Sequence, residues 1–205
     1  MDVTVDNAPR LMPEAPDMLT LVADLNAALR TEGRALVGLS IDGEAVSPEA
    51  LGERFAGVSA AGRRVEASSR PIAELVLESL DEIAATLPEL PSACRKLAEV
   101  FQSENPNDGF EPFEELATIW DHLKARQRMA AEALGISLET IEIKGQPVSA
   151  HLAEFNAFLD EAAQALRDGD TVLLGDLLEY ELAPRAELES DIVAELRRRA
   201  EAAAR

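Results

Sequence analysis

The residues of this chain with the clearest capacity for chemistry are carboxylates. Their spacing is most suggestive in Glu104-Asn-Pro-Asn-Asp-Gly-Phe-Glu-Pro-Phe-Glu-Glu115. A calcium-binding helix-loop-helix sets acidic ligands along a twelve-residue loop, with glycine at the sixth position and a bidentate glutamate at the twelfth. Gly109 and Glu115 fall on those two positions, and Asp108 falls on a ligand position. Glu104 in place of the first aspartate, Pro106 at a carboxylate position and Glu111 where an apolar residue anchors the loop all break the pattern. The segment therefore reads first as an Asn/Pro/Gly loop before a helix, with Asp108 and Glu115 as the candidate ligands of a divalent ion.

The remaining reactive residue types are few. His122 and His151 are the two imidazoles, and the Glu-x-x-His pattern that helical bundles use for carboxylate-bridged metals does not occur. Cys94 is the single cysteine, so no intrachain disulfide forms. Arg95 and Lys96 beside it favour a thiolate, but no base is assignable, and a buried, inert thiol is the expectation. The chain has no glycine-rich phosphate loop, nucleophile elbow or zinc cysteine cluster. These observations predict a non-enzymatic protein without a cofactor. A carboxylate-based divalent-metal protein or enzyme, centred on residues 104–115 or 168–181, is the competing class.

A different kind of site is suggested by Gly175-Asp-Leu-Leu-Glu-Tyr-Glu-Leu182, the densest mixture of apolar and acidic residues and the location of the single tyrosine. At helical spacing Leu177, Leu178 and Leu182 turn inward, leaving Asp176, Glu179, Tyr180 and Glu181 as candidate partner-binding residues. The overall charge limits which partner that is. Asp and Glu number 39 against 19 Lys and Arg, a formal net charge of −20, which repels a phosphate backbone and an anionic membrane surface alike. Nucleic acid and membrane are thus excluded as expected partners, and a protein partner is favoured. The sequence reading is an acidic adaptor or chaperone-like factor in the cytoplasm. The first residues lack the basic and apolar regions of a signal peptide.

The elements that position these residues are mostly helices, since 47% of the chain is apolar and only 4% aromatic, a composition of Leu, Ala, Val and Ile. Apolar stripes predict helices through Leu19–Leu29, Ile72–Leu87, Leu97–Phe101, Phe113–Leu134, Leu152–Leu166 and Val172–Leu182. Pro184 is expected to end the last of these. Gly57 to Gly62 reads as a loose interruption before the second. Residues 1–15 read as a flexible arm, 16–184 as a single helical domain, and 185–205 as a Glu/Arg-rich amphipathic helix that packs on the body or joins two copies. A structural homo-oligomer, such as a homodimer through this tail, is the third function class.

Two hairpins interrupt the helical pattern, near residues 35–46 and 138–148. Leu39-Ser-Ile-Asp-Gly-Glu-Ala-Val-Ser47 recurs at an offset of 102 as Ile141-Glu-Ile-Lys-Gly-Gln-Pro-Val-Ser149. Asp42-Gly43 and Lys144-Gly145 are the turns, and Ser47 and Ser149 are candidate caps for the helices that follow. The repeat predicts either an internal duplication with pseudo-two-fold halves, 16–103 and 113–184, or a local recurrence of turn chemistry. The fold class expected is α+β, predominantly α-helical, with the two hairpins joined in one small sheet.

Overall fold

The computed structural model of the chain describes residues 1–204. The architecture is α+β and predominantly helical, with a five-stranded mixed sheet and a two-stranded sheet. The chain divides into two compact units, Met1–Leu75 and Val76–Arg205, in place of the single domain expected over 16–184.

The first unit is built on the five-stranded sheet. Its elements are β1 (Asp2–Val5), β2 (Ala8–Pro9), α1 (Met18–Thr31), β3 (Arg34–Ile41), β4 (Glu44–Ala45), α2 (Pro48–Phe55) and β5 (Arg64–Pro71). The strand order is β2-β1-β5-β3-β4, with β1 parallel to β5 and the other pairs antiparallel. Residues 2–9, expected as part of a flexible arm, are therefore sheet. Val3 and Val5 alternate into a core with Leu21, Leu25, Ile41 and Val65. The Asp6 carboxylate fixes the β1–β2 turn, accepting from the Ser69 backbone N–H at 2.8 Å and from the Ser69 hydroxyl at 2.7 Å. Strand β5 was not anticipated. Its inward residues, Val65, Ala67 and Ser69, alternate with Arg64, Glu66 and Ser68, a period-two pattern of weak hydrophobicity.

The second unit is helical. Helix α3 (Ile72–Ala84) crosses the boundary between the units, and α4 (Leu90–Phe101), α5 (Phe110–Ala133), α6 (Val148–Asp168), α7 (Thr171–Asp176) and α8 (Ala183–Ala203) follow. Strands β6 (Glu142–Ile143) and β7 (Gln146–Pro147) form the small hairpin. Helices α7 and α8 are joined by a π-helical turn, Leu177–Leu182, with helical dihedrals at both junctions. Pro184 thus lies within one continuous helical run and does not end it, which moves the expected boundary at residue 185. The wider π turn absorbs a residue that brings no N–H to the helix, and the Arg185 side chain donates to the Glu181 carbonyl at 3.0 Å. The apolar stripe of α8, including Ile192, Val193 and Leu196, is buried in its own unit. Among the described residues, no helix is long and apolar enough to cross a membrane.

The two hairpins lie in separate sheets, so they do not join in the single small sheet expected. Their local geometry nevertheless repeats. Asp42 and Gly43 have φ of 52° and 87°, Lys144 and Gly145 have 51° and 83°, and both are turns with two left-handed central residues. The Val46 N–H donates to the Leu39 carbonyl at 2.9 Å, and at the same offset of 102 the Val148 N–H donates to the Ile141 carbonyl at 2.8 Å. The helix starts then diverge. Ser47 caps α2 by accepting from the Ala50 N–H at 3.2 Å, whereas α6 starts at Val148 and carries Ser149 within its first turn.

Candidate functional site

The segment expected to face a partner is positioned by α4 and by its own leucines. Leu174, Leu177, Leu178 and Leu182 are buried, and Gly175 lies against α4 so closely that a Cβ there would stand 2.9 Å from Gln102 Cγ. With that face held, the opposite face points to solvent. Val172 and Tyr180 are 64% and 63% exposed, with Leu173 also exposed at 37%. Val172, Asp176 and Tyr180 are spaced by four, the ridge spacing of a helix surface. Asp176 accepts from Gln102 Nε2 at 3.3 Å, Glu179 is half-buried, and Glu181 accepts from Arg185 at 2.7 Å. Arg185 in turn reaches Glu154 at 3.3 Å and stacks over Phe158, its guanidinium carbon 4.2 Å from the ring centre. Tyr180 thus sits on a π turn braced from both sides. Such turns are costly enough to be rare and recur at functional positions.

Between α5 and α8 lies a buried polar cluster that the sequence reading did not anticipate. Lys124 on α5 is 4% exposed and Glu189 on α8 is 2% exposed, and the two form an ion pair. Gln127 Nε2 donates to the second Glu189 oxygen at 2.6 Å. The Lys124 ammonium also lies 4.7 Å from the Phe155 ring centre and 5.6 Å from that of Trp120, and these two rings pack with centroids 4.4 Å apart. Burial pulls Lys124 below the ordinary lysine value, while Glu189 opposes that shift. Among the described residues, Trp120 Nε1 and Gln127 Oε1 have no hydrogen-bond partner. The sequence signal was present but slight: Leu116, Trp120, Lys124, Gln127 and Ala131 share one stripe of α5, and Glu189 shares one with Val193 and Leu196.

The chemistry-bearing residues lie elsewhere. Asp108 is in a tight turn, Pro106–Gly109, and Glu115 is in α5, so half of the twelve-residue segment is helix and not loop. Both carboxylates face solvent, and the described residues contain no cluster of three or more His, Cys, Asp or Glu side chains able to hold a metal. Gly109 is set by packing: a Cβ there would stand 2.8 Å from the Phe101 ring. His151 Nε2 donates to the Ile143 carbonyl at 2.9 Å and ties α6 to its hairpin, and His122 is exposed. Cys94 is fully buried, and burial pushes its thiol up to about 12 against the opposing pull of Arg95, which removes the thiolate at neutral pH.

Both the exposed stripe and the buried cluster fall within one contiguous stretch of sequence. No curated protein and no solved structure matches the chain. A family model matches residues 78–189, more than half of the chain and all of the residues just described at the stripe and the cluster, and the chain belongs to that family, described as Domain of unknown function (DUF8042).

Proposed function

We propose that this chain is a non-enzymatic interaction protein, an acidic adaptor or chaperone-like factor of the cytoplasm, which receives a protein partner on the α7 and π-turn surface. The observation that carries the reading is the exposure of Val172, Leu173 and Tyr180 on an element whose opposite face is locked into the core. Single exposed apolar residues are ordinary on protein surfaces, but three within nine residues of one helical run form a patch. Tyrosine suits such a patch, since it offers a large, rigid contact area and a polar tip at little entropic cost. The acidic composition supports a role in which solubility is kept while apolar side chains remain outside.

The test compares tagged wild-type protein with Tyr180→Ala and Val172→Ser variants, purified from the native cells and weighed by light scattering. Tyr180 and Val172 contribute little to the core, so the variants should melt with the wild type. A stoichiometric protein partner kept by the wild type and lost from both variants supports the reading. Equal retention by all three proteins removes it.

A further inference from the structure

We propose that the partner element seated on this surface is a basic amphipathic helix of another protein, with apolar residues for the Val172–Tyr180 ridge and Lys or Arg at its flanks. This inference rests on the surface proposed above and adds the chemistry of its occupant. Two observations carry it. The exposed stripe follows the i to i+4 ridge of a helix, the shape against which a second helix packs by laying its own side chains into the adjoining grooves. The segment that carries the stripe also bears charge of one sign, and Arg185 just beyond it is already paired with Glu181 and Glu154. From Asp168 to Leu182 the chain carries five carboxylates and no Lys, Arg or His. Among the described residues, Glu181 has an ion-pair partner in Arg185, while Asp168, Asp170, Asp176 and Glu179 have none. Asp170 is spent on the Leu173 N–H at 3.0 Å and Asp168 on Gln164 at 2.9 Å, contacts that leave their charges uncompensated. An acidic or neutral helix would gain only the apolar contacts, and an acidic one would meet repulsion as well. A basic helix gains both terms, and its attraction weakens with salt.

The experiment measures binding of two labelled probe peptides to the full chain by fluorescence anisotropy. One is a Leu/Lys amphipathic helix and the other its Leu/Glu counterpart. Asp176→Asn with Glu179→Gln removes two charges at the stripe while Asn still accepts from Gln102, and Glu49→Gln with Glu53→Gln removes two charges from α2 as a matched control. The expected result is binding of the Leu/Lys peptide alone, weakened roughly tenfold by the Asp176/Glu179 pair and by Tyr180→Ala and unchanged by the control pair. Equal weakening by both pairs means diffuse attraction to an acidic protein and overturns the inference. So does equal binding of the Leu/Glu peptide, or binding of neither. In each of those cases the reading of the surface itself still stands or falls separately, on whether Tyr180→Ala loses the native partner.

Discussion

Substituting Lys124 with Met removes the ammonium from a site where Glu189 remains buried, and the carboxylate then has only Gln127 to satisfy it. A buried ion pair adds little net stability over an apolar pair of similar volume, yet breaking it by removing one partner costs about 3–5 kcal/mol. Lys124→Met is therefore expected to destabilise strongly, and the double variant with Glu189→Leu is expected to recover most of the loss. Urea denaturation of the two singles and the double checks this, and additive losses would show that the pair is not coupled. A second residue-scale effect lies on the surface of α8. Arg198 and then Arg199 hold the Glu195 carboxyl down to about 2, against an ordinary value of 4.5. The contribution is complete above pH 4.5 and is lost as pH falls toward 2. Melting temperatures recorded across that range should fall less steeply for Glu195→Gln than for the wild type, and identical slopes would sink the assignment.

Among the elements, the junction of α4 and α5 depends on Gly109. Its φ is negative, so backbone freedom is not the reason for glycine here; the Phe101 ring occupies the space a Cβ would need. Gly109→Ala is expected to cost about 1–3 kcal/mol, as overpacking of a core does. A thermal melt within a degree of the wild type would mean that Phe101 moves freely. This position illustrates what the sequence made legible at this scale and what it hid. Turn chemistry was readable at Asp42-Gly43 and Lys144-Gly145, because two-residue turns demand left-handed backbone. The inward leucines of 177–182 and the burial of Trp120 were readable from helical spacing. Gly109, by contrast, looked like a ligand-loop glycine because a contact with a residue eight positions earlier leaves no local trace. Strand β5 was hidden because its inward face is small and polar, Ala67 and Ser69 beside Val65, and its partners β1 and β3 are distant in sequence. Pro184 looked like a stop because a π turn has no signature in the spacing of apolar residues.

At the scale of the whole molecule, the charge and the fold class were visible in composition, while the partition into two units was not. The partition depends on the first strand pairing with the last of its unit, Asp2–Val5 against Arg64–Ala67, a parallel contact that no short-range pattern announces. The family match to residues 78–189 falls inside the second unit, together with the residues on which the interaction reading rests. One feature of that unit links its inside to its outside. A π turn is a stretch of helix carrying one residue more than regular pitch accommodates, so Leu177–Leu182 takes up that residue locally and keeps α7 and α8 in phase. Removing a single residue, Glu179, would return the run to ordinary pitch and leave the helices on either side in phase, whereas removing Ser190 from the regular helix of α8 would rotate everything after it by about 100°. Only the second deletion would take Ile192, Val193 and Leu196 out of register with the core. The Ser190 deletion should therefore unfold the second unit as measured by circular dichroism, whereas the Glu179 deletion, made with Pro184→Ala so that no proline is left inside regular helix, should keep it folded. The extra residue works as slack: it widens one turn next to Pro184 without changing which faces of α7 and α8 are turned to the core.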